Sequence, residues 1–338
     1  MGAVSAKELS KIVYLDQKAL DGRALLIMPF WDNTTWRLWI EAPPGIINEV
    51  NILDASHSNY VANQPARNED ISIDFINFMW QRASYPEIGN LINGIQDDFH
   101  ILATSALKIR HFFELRESIE KSIISSFVKT EMEYMITVAR SVFDLLQEIL
   151  SKIWNNRIIL IDQDSNAVKN RHKMPDKFTK MAIHGRNVPK PIDELISHYA
   201  IPLVLAEQYN CISPFYVALL RSRDKFIHGG GSVETIFVTE KGFCVDREAQ
   251  TFSHFEWKEN HRYNDRLVSL LPWVAHIIFG TMQACEQIVG AFASVISMPP
   301  EMAPGYRVFI RDPANRELHK LSAVVDGRAV WWSDPVPG

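Results

Sequence analysis

The strongest constraint on the fold is a regular apolar period in the middle of the chain. Apolar side chains recur four and three residues apart over about five turns of helix. They are Met135, Ala139, Val142, Leu146, Ile149 and Ile153. A second helical period precedes them, from Ile92 to about Glu120. Two long amphipathic helices joined by a short link predict an antiparallel helical hairpin, which is the usual start of a helical bundle.

Helical patterns continue towards the C-terminus. We predict a helix over 191–208 and a further helix over 214–228, with Ser213 as its N-cap and three glycines as its stop. A last long helix is predicted from about 260 to 298, with a kink at Pro272.

Strand patterns occur before, within and after the helical region. A hairpin is predicted around Asp32-Asn33, a second around Glu240-Lys241-Gly242 and a third, with strands over 321–325 and 328–332, around Asp326-Gly327. The fold class expected from these patterns is mainly α. It comprises an N-terminal α+β region over 1–89, a helical domain over 90–298 and a β-rich tail over 299–338.

Composition places the 338-residue chain among ordinary folded proteins, with 47% hydrophobic and 22% charged residues. The three cysteines form no disulfide or zinc spacing, and together with an N-terminus that lacks a secretory signal they favour a cytoplasmic protein. The uncharged stretch 267–285 is interrupted by polar residues, which favours a buried helix over a membrane span.

Charge argues against a globally basic nucleic-acid binder, because the net charge is −5. The segment 157–190 nevertheless carries eight Lys or Arg against three Asp. This basic segment is either a surface for a phosphate backbone or a solvated loop.

The predicted 214–228 helix carries an arginine, a polar residue and a histidine near its end. Arg223 falls in the apolar stripe, while Arg221, Asp224 and His228 share the polar side. An imidazole titrates near neutral pH and a guanidinium matches a phosphate, so this group suits acid/base chemistry on a phosphate.

The order Arg223, Asp224, three residues, His228 resembles the signature of the HEPN superfamily of helical bundles. The resemblance implies a metal-independent endoribonuclease of the toxin or phage-defence kind, in which the ribose 2′-hydroxyl attacks the adjacent phosphate. His228 would then be the acid/base, Arg223 the phosphate clamp and Asp224 an orienting residue. The implied partners are RNA or a nucleotide and a second copy in a homodimer, with no membrane.

Helix geometry leaves the choice of arginine open. Arg223 and His228 are separated by about 140° on a regular helix, whereas Arg221 lies on the same face as His228.

Several alternatives also remain. His228 can be a helix C-terminal cap and Arg223 a buried, paired arginine. The domain can be a non-catalytic HEPN-like module that binds a nucleotide or protein, or the motif can be accidental. The string His228-Gly229-Gly230-Gly231 matches an esterase oxyanion motif, but no GxSxG nucleophile elbow accompanies it.

Metal and cofactor chemistry has little support in the sequence. The eleven histidines are scattered, and no HExxH, paired-cysteine, phosphate-loop or dinucleotide motif occurs. The sequence therefore predicts neither a metal centre nor a cofactor.

Overall fold

The computed structural model describes residues 4–55, 57–156, 172–185, 187–228 and 235–335, with side chains 224–228 outside the description. The helices are α1 Ala6–Leu9, α2 Asp74–Arg82, α3 Gly89–Glu114, α4 Lys121–Asn156, α5 Phe178–Ala182, α6 Ile192–Tyr199, α7 Leu203–His228, α8 Leu271–Val295 and α9 Asn315–Val325. The strands are β1 Phe30–Trp31, β2 Trp36–Glu41, β3 Ile47–Ile52, β4 Ser58–Ala62, β5 Ile183–His184, β6 Val188–Pro189, β7 Phe237–Val238, β8 Phe243–Asp246, β9 Leu267–Ser269 and β10 Arg307–Arg311.

The expectation of a mainly helical bundle is wrong. The protein is an α+β mixture, about 51% helix and 13% strand, with a five-stranded mixed sheet and two small sheets. The large sheet has the strand order β10-β4-β1-β2-β3. Strand β10 pairs antiparallel with β4, from Arg307 opposite Ala62 to Arg311 opposite Ser58. The two ends of the chain therefore build one sheet, which no local pattern reveals. The domain boundaries drawn at 89 and 298 remain a prediction.

The long helices form the rest of the core. Helix α3 packs against α4, as the apolar periods predict, and α8 contacts α2, α3, α4, α7 and α9. The side chains of Trp273, Ile278 and Cys285 in α8 are buried, so the long uncharged stretch 267–285 is part of the core. Among the described residues, none of the helices is both long and apolar enough to cross a bilayer.

Three element boundaries differ from those predicted. Helix α7 runs through Pro214 without a break, and the Ser213 hydroxyl donates to the Tyr209 carbonyl at 2.6 Å instead of capping a helix start. Helix α8 begins beside Pro272, because a proline in the first turn loses no hydrogen bond. The segment 321–325, predicted as a strand, is the end of α9, with Gly327 just beyond it at φ 74°.

The first hairpin turns where the sequence predicts. Strands β1 and β2 pair antiparallel on either side of Asp32-Asn33, and Asn33 has φ 77°. The second hairpin is also present, as β7 and β8. Trp39 and Trp36 are buried at 1% and 6% exposure, so both pack in the core.

Candidate metal centre

The register of the large sheet brings His57 and Asp312 together. Arg311 at the end of β10 pairs with Ser58 at the start of β4. His57 precedes Ser58 and Asp312 follows Arg311, so one further step of an antiparallel ladder places the two side by side. The third member, His100, projects from the middle of α3.

Three donor atoms converge on one point. His57 Nε2 lies 2.9 Å from Asp312 Oδ2 and 3.2 Å from His100 Nδ1. Asp312 Oδ2 also contacts His100 Nδ1, and all three atoms lie within 4.8 Å of one another. The Asp312 side chain is 4% exposed, whereas His57 and His100 are 57% and 40% exposed. The carboxylate is thus the inner wall of the cluster, and the imidazoles face the solvent side.

Backbone contacts fix the orientation of the carboxylate. Asp312 Oδ1 accepts a hydrogen bond of 2.6 Å from the Ala314 N–H, and the Asp312 carbonyl accepts one of 3.1 Å from the Asn315 N–H. Both contacts lie at the start of α9, where backbone N–H groups need acceptors. With Oδ1 engaged, Oδ2 is the oxygen directed at the two imidazoles.

Arg311 fixes the segment before His57. Its guanidinium, 5% exposed, donates to Asp70 Oδ1 and Oδ2 at 3.1 and 2.8 Å, and to Asp54 Oδ1 and the Ala55 carbonyl at 3.0 Å each. Burial raises the pKa of Tyr60, whose hydroxyl donates to Asp70 Oδ2 at 2.7 Å. Since Arg311 has two carboxylates as partners, it is a structural anchor beside the cluster.

An apolar cavity of about 90 Å³ opens at the three donors. Helices α3, α8 and α9 supply Phe99, Ala103, Ile278, Met282 and Leu318 to its walls. The polar lining includes Asn59, Gln96, Asp97 and Asn315. The cluster, with its two solvent-facing imidazoles, therefore stands at the mouth of a small apolar cavity.

The geometry suits a metal ion. Two imidazole nitrogens and a carboxylate oxygen bind catalytic zinc in some enzymes and non-haem iron in others, and both arrangements keep positions open. Ligand atoms about 2.0–2.2 Å from one ion, at angles of about 90° to 110°, are about 3 Å apart. The separations of 2.9 and 3.2 Å from His57 Nε2 match that spacing. Asp312 Oδ2 and His100 Nδ1 lie closer together, so these two side chains must move apart for an ion to bind.

The two arginines of the α7 motif do not share one site. Arg221 is exposed, and its Nη1 lies 3.5 Å from His254 Nε2. Arg223 is half-buried and lines a separate open groove with residues of α4. Two residues apart on a helix, these arginines point in nearly opposite directions. The backbone of α7 includes Asp224 and His228, but their side chains lie outside the described residues.

Comparisons with protein-family models, curated proteins and solved structures find no match for this chain.

Sequence reasoning missed the cluster for a physical reason. Its members come from a segment before a strand, from a helix and from the far end of the chain, so no ligand spacing exists to recognise. One signal was available: Asp312-Pro313 directly follows an apolar strand pattern, and polar residues at strand ends are frequent site residues. The pairing of β10 with β4 was needed to connect it with His57.

Proposed function

We propose that this protein is a metalloprotein that binds one divalent first-row transition metal ion, Zn²⁺ or Fe²⁺. The ligands are His57 Nε2, His100 Nδ1 and Asp312 Oδ2. The observation that carries the proposal is the convergence of these atoms, with separations of 2.9 and 3.2 Å, at the mouth of an apolar cavity.

Three protein ligands leave at least one coordination position for water or another small molecule. An ion held there would act as a Lewis acid, by lowering the pKa of a bound water or by polarising a bound oxygen. The residues of this chain would set the electrostatic environment of the ion. Asp312 contributes a negative charge on the buried side of the cluster, where the apolar cavity walls keep the local dielectric low.

The test is metal content and affinity. Protein purified without chelator and analysed by plasma mass spectrometry should contain close to one equivalent of one transition metal. After removal of the metal, calorimetric titration with Zn²⁺ or anaerobic Fe²⁺ should show a single site. The preferred ion follows from the two affinities together with the metal recovered.

The chain offers a matched control on the same helix. His100→Ala should abolish the stoichiometric site. His111→Ala removes an exposed α3 histidine that contacts Glu114 at 3.0 Å, and it should leave the affinity unchanged. If both variants bind metal as the native chain does, or if the native chain binds none, the three residues are a structural cluster and the metalloprotein proposal fails.

Metal-independent ribonuclease activity on α7 is a second candidate, favoured by the position of Arg223. This arginine lines a groove of about 520 Å³ together with Arg140 and Lys177. Three carboxylates, those of Asp144, Glu148 and Asp176, line the same groove, so a phosphate would have to compete with them for the cationic side chains. A guanidinium accessible in a groove is nevertheless what a phosphate clamp requires.

This second candidate has a separate experiment, because it needs no metal. Labelled RNA incubated with the protein in EDTA should yield fragments ending in cyclic phosphate. His228→Ala and Arg223→Ala should each abolish cleavage with little change in melting temperature, and a homodimer should be seen by light scattering. Intact RNA in EDTA at high protein concentration would exclude this candidate without affecting the metal proposal.

A further inference from the structure

The cavity beside the three donor atoms also indicates what the metal ion meets. This inference rests on the proposed metal site and extends it to the class of ligand. We propose that the site binds a small uncharged aliphatic chain that carries one metal-coordinating oxygen group. The chain fills the cavity, and the oxygen group lies at the mouth beside His57, His100 and Asp312.

The cavity walls determine which kind of ligand tail can bind. Apolar side chains come from α3, α8, α9, β10 and the segment before α2, whereas β4 supplies only Ser58 and Asn59. The apolar side chains are Ile71, Ile73, Phe99, Ala103, Ile278, Met282, Ile310 and Leu318. Such a surface favours CH₂ and CH₃ groups and penalises an unpaired polar group. Helix α8 supplies Ile278 and Met282 from the core side, so the apolar walls extend inward from the mouth.

Charge in the lining excludes an ionic tail. Arg311 has Asp70 and Asp54 as ion-pair partners at 2.8 and 3.0 Å. Asp97 is exposed at the rim. The remaining carboxylate, Asp312, belongs to the donor cluster. An anionic or cationic tail would therefore enter the cavity without a counter-ion, at a large desolvation cost.

The volume of the cavity limits the size of the ligand tail. An apolar cavity of about 150 Å³ in another protein accommodates benzene, and the present cavity measures about 90 Å³. A flexible aliphatic chain fits this smaller space better than an aromatic ring does. The half-buried polar side chains of Asn59 and Gln96 line the same cavity and give the oxygen-containing head hydrogen-bonding partners.

A series of hydroxamic acids tests this inference, because the hydroxamate head coordinates the metal while the tail varies. The protein loaded with Co²⁺ is titrated with acetohydroxamic, butyrohydroxamic, hexanohydroxamic, octanohydroxamic and benzohydroxamic acid. Changes in the visible Co²⁺ spectrum report head-group coordination. We expect affinity to rise about fourfold per added CH₂, the value for burying one methylene. The affinity should stop rising once the aliphatic tail fills the cavity. Benzohydroxamic acid should bind no more tightly than the short aliphatic hydroxamic acids.

Two variants vary the cavity and leave the proposed ligands in place. Ala103→Leu narrows the wall one turn from His100, so the rise should end at a shorter chain. Met282→Ala enlarges the cavity, so the rise should continue to a longer chain. Neither substitution should change the Co²⁺ affinity.

The outcomes separate the two proposals. If the native chain binds no Co²⁺, the metal site and the ligand class fail together. If Co²⁺ binds and all five hydroxamates bind equally, the metal site stands and the ligand class is wrong. Unchanged chain-length profiles in both variants would also overturn the assignment of the cavity.

Discussion

His57 and Asp312 lie side by side, 2.9 Å apart between Nε2 and Oδ2, because β4 and β10 pair in one register. A shift of that register by one residue would turn every side chain of β10 to the other face of the sheet. The donor cluster is therefore tied to a sheet whose strands come from opposite ends of the chain. His57 and Asp312 therefore meet only when these two strands pair.

Metal binding should stabilise the fold through Asp312. Zn²⁺ at about 100 times its dissociation constant should raise the free energy of unfolding by about 2.7 kcal/mol. Asp312→Asn keeps an oxygen that can accept from the Ala314 N–H but removes the anionic ligand. We expect the metal-free variant to stay within about 1 kcal/mol of the native chain, with most of the gain from Zn²⁺ lost. Urea unfolding with and without Zn²⁺ measures both quantities, and an undiminished gain in the variant would contradict the role of Asp312.

Removal of the Arg311 side chain should destabilise the protein strongly. Arg311→Ala leaves the Asp70 carboxylate, 3% exposed, without its guanidinium, which costs about 3–5 kcal/mol. Arg67→Ala is the matched control, because Arg67 also contacts Asp54, at 2.8 Å, but is 53% exposed. That surface pair should contribute under about 1 kcal/mol. Urea denaturation of both variants is the measurement, and equal losses would mean that the burial of Arg311 does not matter.

Local patterns predicted the elements that depend on local chemistry. The apolar periods of α3 and α4 and the Asp32-Asn33 turn are each encoded within a few residues. The structure contains both helices and the turn at the predicted positions. The segment 321–325 was misassigned because Asp326-Gly327 is as good a helix end as a hairpin turn. The prediction of the fold class was wrong because β10 forms its sheet with strands near the other end of the chain.

The candidate site residues show the same contrast between features encoded locally and features that depend on distant segments of the chain. The α7 motif could be recognised because its members are close in sequence, and the helical period already placed Arg221 and Arg223 on different faces. The cluster of His57, His100 and Asp312 required tertiary contacts of sheet and helix. No single segment carries a ligand pattern, so sequence reasoning had nothing to detect.

Alanine substitutions at two glycines of α8 should change the stability of the protein in opposite directions. A Cβ at Gly280 would lie 2.7 Å from Phe215 Cε2, where α7 and α8 cross, and nothing lies within 4 Å of a Cβ at Gly290. We expect Gly280→Ala to destabilise by about 1–3 kcal/mol through overpacking. Gly290→Ala, at an exposed helical position, should stabilise by about 0.5–1 kcal/mol. Thermal unfolding of both variants decides the matter, and a stabilising Gly280→Ala would show that the helices cross less closely.

Asp32 should make stability depend on pH in the acid range. Its Oδ1 accepts from the Thr34 hydroxyl at 2.7 Å and from the Thr35 N–H at 2.8 Å. These hydrogen bonds lower the pKa of Asp32 from 3.8 to about 2. Because the folded-state pKa is the lower one, the unfolded chain binds more protons between these values. The stabilisation is present above about pH 4 and is lost as the pH falls to about 2.

Asp32→Asn removes this dependence and keeps one acceptor oxygen in the turn. At pH 7 the variant should be less stable by under about 1 kcal/mol, since the turn is on the surface. The difference from the native chain should shrink as the pH falls from about 4 to about 2. Urea unfolding at a series of pH values measures it, and the comparison cancels the other carboxylates because both chains share them. A difference that stays constant down to pH 2 would mean that the hydrogen bonds of Asp32 do not favour its charged form.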